Sequence, residues 1–98
     1  MKILNAAIAG TLESSDITVA VEPNSNNEVV IELKSSVIKQ FGDQIKKVIT
    51  DTLSSLNVES AIVRVNDKGA LDCVIKARVE TAVLRAAGET HFNWGVQE

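Results

Sequence analysis

Apolar and polar positions alternate strictly from Ile17 to Val21. Ile17, Val19 and Val21 fall on one side and Thr18 and Ala20 on the other, the period of a strand with one face in a core. The alternation returns after the polar turn Pro23-Asn24-Ser25-Asn26-Asn27, with Val29, Ile31 and Leu33 set against Val30, Glu32 and Lys34. Two alternating runs joined by a short polar turn predict an antiparallel β-hairpin. From Ser36 the period lengthens. Val37, Ile38, Phe41, Ile45, Val48, Ile49, Leu53 and Leu56 recur at spacings of three and four, while Lys39, Gln40, Asp43, Lys46, Lys47 and Asp51 take the other side. This predicts an amphipathic helix with Ser35 or Ser36 as its N-cap. Gly42 interrupts the helix at a cost of roughly 1 kcal/mol relative to alanine, which implies close packing or a local bend there.

Ala61-Ile62-Val63-Arg64-Val65 predicts a third strand, closed by Asn66-Asp67-Lys68-Gly69. Leu71, Val74, Ile75, Arg78, Ala82, Val83 and Ala86 then outline a second helix that ends near Gly88. The β-branched run from Cys73 to Val79 also reads as a strand, but the alanines and the length favour helix. The pattern predicts an α+β fold. One small domain carries a β-hairpin and a third strand as a sheet packed by two amphipathic helices.

Ninety-eight residues with 45% hydrophobic content supply one core and leave little room for a second domain or a deep interdomain cleft. The net charge is −3 and the basic residues are scattered, with Lys46-Lys47 the one adjacent pair. A nucleic-acid surface would need clustered cations, so that class is excluded. The single cysteine, Cys73, has no intrachain partner, which fits a reducing compartment. Asn5 breaks the short apolar start, and no stretch approaches membrane-spanning length. A soluble, cytoplasmic chain is expected.

Few groups suggest catalysis. His91 is the one histidine and lacks a neighbour at metal-ligand spacing, so it reads as a surface or tail residue. Cys73 would be a nucleophile only beside a base; its plainer reading is a small buried hydrophobe. Phe92 and Trp94, in a C-terminal aromatic segment spanning 91–98, either fold back on the core or dock a partner. Gly10-Thr11-Leu12-Glu13-Ser14-Ser15-Asp16 is a polar interruption between apolar stretches. Taken alone, Ser14 and Ser15 are ordinary loop material, although an exposed hydroxyl also suits attachment of a cofactor that does the reactive work.

Three segments together carry a resemblance. The loop Gly10 to Asp16, Lys39-Gln40-Phe41-Gly42-Asp43 on the first helix, and Asp67-Lys68-Gly69-Ala70-Leu71-Asp72-Cys73 before the second resemble the citrate lyase acyl carrier protein family, the gamma subunit. Ala77-Arg78, Leu84-Arg85-Ala86 and the terminal aromatics extend the likeness to the whole chain.

The resemblance implies that the Ser14 hydroxyl carries 2'-(5''-phosphoribosyl)-3'-dephospho-coenzyme A through a phosphodiester, with Ser15 the less suited neighbour. It further implies that acetyl and citryl groups ride as thioesters on this arm while citrate is cleaved to acetate and oxaloacetate. The implied partners are the alpha subunit, which exchanges the acyl group, the beta subunit, which cleaves the citryl thioester, and a transferase that attaches the arm. On this reading Ser14 is an anchor and the chain is not catalytic alone; Glu13 and Asp16 are candidates for recognition by the transferase. Ordinary acyl carrier proteins resemble a four-helix bundle with an Asp-Ser-Leu motif. The Glu-Ser-Ser-Asp here, and the alternating strands, point to a different fold. Two alternatives remain open: a carrier of a malonate decarboxylase-type complex, and a small α+β interaction module without a prosthetic group.

Overall fold

The computed structural model describes residues 1–88, which form a four-stranded sheet and two helices. The elements are β1 (Ala7–Gly10), β2 (Ile17–Glu22), β3 (Val29–Ser35), α1 (Ile38–Ser55), β4 (Ala61–Asp67) and α2 (Asp72–Ala86). The aromatic segment 91–98, with His91, Phe92 and Trp94, lies outside the described residues. The α+β class stands, as do both helices and the three strands read from the pattern. The fourth, β1, has only 4 residues, too few for its alternation to stand out.

The predicted hairpin needs correction. The sheet order is β1-β2-β4-β3, so β4 lies between the two strands that the pattern joined. β2 pairs antiparallel with β1 on one side and with β4 on the other, while β3 runs parallel to β4. The reversal of direction between β2 and β3 is present, but loop 23–28 carries the chain across a strand rather than back alongside one. The reason lies in burial. Ala61, Val63 and Val65 of β4 are almost fully buried, a demand that a central strand meets and an edge strand does not. Parallel pairing of β3 with β4 requires a crossover, and α1 is that crossover.

Both helices cover the face built from Ile17, Val19, Val21, Val63 and Val65. α1 contributes Ile45, Ile49 and Leu53, and α2 contributes Ile75, Val79, Ala82, Val83 and Ala86. A helix stripe of this kind gains about 25 cal/mol for each Å² of apolar surface removed from water, so packing stabilises these helices more than capping does. Neither helix has a side-chain cap. The N-cap of α1 is Val37, not Ser35 or Ser36. Ser35 closes β3 instead, where its Oγ donates to Asp67 and accepts from the Val37 amide. α2 ends as predicted: Gly88 has φ +78° and its amide reaches the Arg85 carbonyl, the left-handed stop that glycine permits. Gly42 is buried, and a Cβ there would meet only the Ile38 side chain one turn back, with Cδ1 at 2.9 Å, a flexible end that can shift aside. The open face of the sheet carries Arg64, paired to Glu22 at 2.8 Å and to Glu32 at 3.2 Å.

Candidate functional site

β2 and β4 run in opposite directions, so the loop entering β2 and the loop leaving β4 meet at one end of the sheet. The parallel β3 brings its junction with α1 to the same end. The three resembling segments, far apart in sequence, therefore converge there.

The loop between β1 and β2 begins at Gly10, whose φ is +94° and whose hydrogen lies where a Cβ would stand 1.8 Å from the Ile17 carbonyl oxygen. Only glycine allows this approach. The loop closes in a tight turn, with the Asp16 amide donating to the Glu13 carbonyl at 3.1 Å and Ser14 and Ser15 between them. Ser15 adopts φ 65° in the left-handed region, and its amide donates to the Lys68 carbonyl at 2.8 Å. The Lys68 amide returns a bond to the Asp16 carbonyl at 2.9 Å. Ser14 thus sits exposed at the tip of a turn tied to the β4–α2 loop. Among the described residues, its hydroxyl takes no part in the hydrogen bonds that hold the loop.

Asp16 holds the base of the turn. Arg78 of α2 donates to it with a forked pair of bonds, Nε to Oδ1 at 3.1 Å and Nη2 to Oδ2 at 2.9 Å. Thr11 Oγ1 donates at 2.6 Å and the Ile17 amide at 2.7 Å. The Arg78 bonds, then those from Thr11 and the Ile17 amide, hold the Asp16 carboxyl well below the usual carboxylate range. The Thr11 oxygen also accepts from the Glu13 amide. Sequence reasoning placed Arg78 in the apolar stripe of α2 and Asp16 beside the serines without joining them. A charge set into a buried stripe was the signal for a partner.

Asp67 organises the second converging loop. It is 1% exposed and accepts from Ser35 Oγ at 2.8 Å, the Gly69 amide at 3.1 Å and the Ala70 amide at 2.9 Å. Every oxygen of this buried carboxylate is occupied, as burial requires. Beside this loop, Val37, Phe41, Ile45, Ala70 and Leu71 line a shallow, mostly apolar groove of about 370 Å³. Phe41 and Leu71 remain 51% and 69% exposed, so the first turn of α1 is less covered than its apolar spacing predicts.

Cys73 is exposed on the first turn of α2, which corrects its reading as a buried hydrophobe: the buried stripe there runs through Ile75 and Val79 instead. Among the described residues no group of acidic, histidine or cysteine side chains could hold a metal ion.

Comparison with known proteins agrees with this architecture. The family model described as malonate decarboxylase delta subunit (MdcD) matches residues 4–86. The citrate lyase acyl carrier protein of Clostridium perfringens is 54% identical over 95 residues, covering 97% of this chain and 94% of that protein. That of Streptococcus equi subsp. zooepidemicus is 53% identical over 94 residues, covering 96% and 92%. The chain belongs to the citrate lyase acyl carrier protein family. Membership makes it a non-catalytic carrier subunit, as the resemblance implies, and not a free-standing enzyme. A crystal structure of a Pseudomonas malonate decarboxylase hetero-tetramer with malonate superposes with a TM-score of 0.68 over 84% of each chain, at 18% identity. That likeness carries the fold alone. Identities above half to the citrate lyase carriers decide between the two carrier classes.

Proposed function

We propose that this carrier is anchored to its prosthetic group through the Ser14 hydroxyl, and that the group is 2'-(5''-phosphoribosyl)-3'-dephospho-coenzyme A in phosphodiester linkage. One observation supports this most: Ser14 stands exposed at the tip of a turn whose backbone is held from both sides, with its hydroxyl uncommitted. The residues suit such a group. An anchor needs access and a fixed base rather than a neighbouring general base, and no side chain around Ser14 competes for its oxygen. Ser15 is the poorer anchor because its backbone is in the left-handed region and bonded to Lys68.

When bound, the group supplies a thiol on a long arm, to which acyl groups attach as thioesters during citrate cleavage. The protein's part is to hold the arm's base. Tethering makes each visit to a partner's active site effectively intramolecular, at a local concentration set by the arm's reach. The partners on this reading are the citrate lyase alpha subunit, which exchanges the acyl group, the beta subunit, which cleaves the citryl thioester, and a transferase that installs the arm. The exposed thiol of Cys73 suits a reducing cytoplasm.

The test is the intact mass of the chain purified from its native host while it grows on citrate, with fragmentation of any modified peptide. A mass gain equal to the phosphoribosyl-dephospho-coenzyme A group, mapped to Ser14, is expected. A bare polypeptide from those cells would favour an interaction module instead.

A further inference from the structure

The two acidic residues that flank the serines point in different directions. Glu13 is exposed and its side chain has no partner among the described residues. The Asp16 side chain is 14% exposed and its carboxylate is taken up by Arg78, Thr11 and the Ile17 amide, bonds that run back into the fold. Its charge is spent inside the loop and is not presented to an incoming enzyme.

Arg78 suits the other half of this clamp. It lies one turn from Ile75 and Ala82, both fully buried, so packing of α2 fixes where its stem leaves the helix. A planar fork on both oxygens of one carboxylate fixes orientation as well as distance, which a lysine could not do. The loop is otherwise held by short-range bonds and by two backbone bonds at Lys68. Among the described residues, the fork is its one side-chain tie to a helix.

Resting on the reading of Ser14 as the anchor, we infer that Asp16 and Arg78 are positioning residues for attachment of the prosthetic group. They keep the turn in the conformation that offers Ser14 Oγ to the transferase. An enzyme that must bring a hydroxyl to roughly 3–3.5 Å of a phosphorus in line with a leaving group binds one shape of the loop. When the loop is released, only a fraction of the molecules hold that shape, and the apparent KM rises by the inverse of that fraction while kcat at saturation is preserved.

The experiment uses the full apo chain with the transferase and an activated donor in which the phosphoribosyl phosphate of the dephospho-coenzyme A group carries a phosphate-type leaving group, released with the Ser14 proton as the Oγ–P bond forms. Attachment is followed by intact mass across carrier concentrations. Amide hydrogen exchange of Ser15 and a circular dichroism melt are recorded on the same samples. Arg78→Gln is expected to raise KM about tenfold with kcat within about twofold, and to speed Ser15 exchange by a similar factor while the melt stays cooperative. Arg78→Lys should fall between, and Glu13→Gln should leave Ser15 exchange unchanged. If Arg78→Gln is not folded at the assay temperature, Asp16→Asn, of equal size, carries the same expectation. Wild-type KM in a variant whose Ser15 exchange is accelerated overturns the inference, as does unchanged exchange. Failure of the wild-type chain to accept the group on Ser14 removes the reading beneath it.

Discussion

Loops 11–16 and 23–28 lie at opposite ends of β2 and are alike in composition, yet they are held in different ways. Both are short and polar, and each contains a non-glycine residue in the left-handed region, Ser15 at φ 65° and Asn27 at φ 55°. Loop 23–28 is largely self-contained: the Asn24 side chain accepts from the Asn26 amide and donates to the Glu28 carbonyl. Its ties to the rest of the fold are two bonds from Ser60 and Ala61 at the start of β4, and among the described residues no helix side chain is hydrogen-bonded to it. Loop 11–16 is built on a glycine that no other residue can replace, two backbone bonds to the β4–α2 loop and an ion pair to a helix 62 residues away. A connection needs only to reverse the chain. As the proposed platform for a covalently attached group, loop 11–16 must also keep one direction relative to the fold, and its ion pair to α2 serves that.

The strongest way to break this contrast is Gly10→Ala. The added Cβ meets the Ile17 backbone at 1.8 Å and the residue must hold φ +94°, so neither side can yield cheaply. The expected loss is on the order of 3 kcal/mol in chemical unfolding. A loss below about 1 kcal/mol would mean that β1 can leave β2 without disturbing the platform.

Acid is the second way. The Asp16 carboxyl titrates below its ordinary value of about 3.9, so its pair with Arg78 stabilises the fold fully above that pH and loses this contribution as the pH falls toward the lowered folded value. The melting temperature of Asp16→Asn should therefore trail the wild type by a constant margin from pH 7 to pH 5. Below about pH 4 the margin should shrink. A margin that does not change with pH would show that the charge on Asp16 contributes nothing.

The smallest effect sharpens the comparison from the other side. Asn24→Ala removes two local bonds at an exposed turn and should cost about 1 kcal/mol. Attachment at Ser14 should proceed at the wild-type rate. Slower attachment would mean that the two ends of the sheet are coupled.

What the sequence disclosed follows the range of the forces involved. Helix spacing is a property of consecutive residues, and α1 and α2 emerged within a residue or two of their ends. Gly88 as a helix stop was legible for the same reason. Pairing partners were not. The alternation of β2 and β3 is identical whether they touch each other or flank β4, and only the deep burial of Val63 and Val65, which the third dimension creates, separates the two cases. At the candidate site, the loop was visible as a polar gap between apolar runs, and the resemblance singled out Ser14 within it. The tie from Asp16 to Arg78 was hidden because each residue is unremarkable alone; Arg78 in an otherwise apolar stripe was the one hint. Ser35 falls short of the helix end: its hydroxyl accepts from the Val37 amide, itself the cap position, while donating to Asp67, 32 residues on, a tie that no local pattern reveals.

Ser14 as the proposed anchor is tested most directly by comparing Ser14→Ala with Ser15→Ala, each produced in cells that contain the attaching enzymes and weighed intact. Both substitutions fall at an exposed turn and leave the core untouched. Ser15→Ala is expected to gain the full mass of the phosphoribosyl-dephospho-coenzyme A group, and Ser14→Ala to remain the bare chain. A modified Ser14→Ala would contradict the account, since the arm would then be held at a position other than the one that the turn presents.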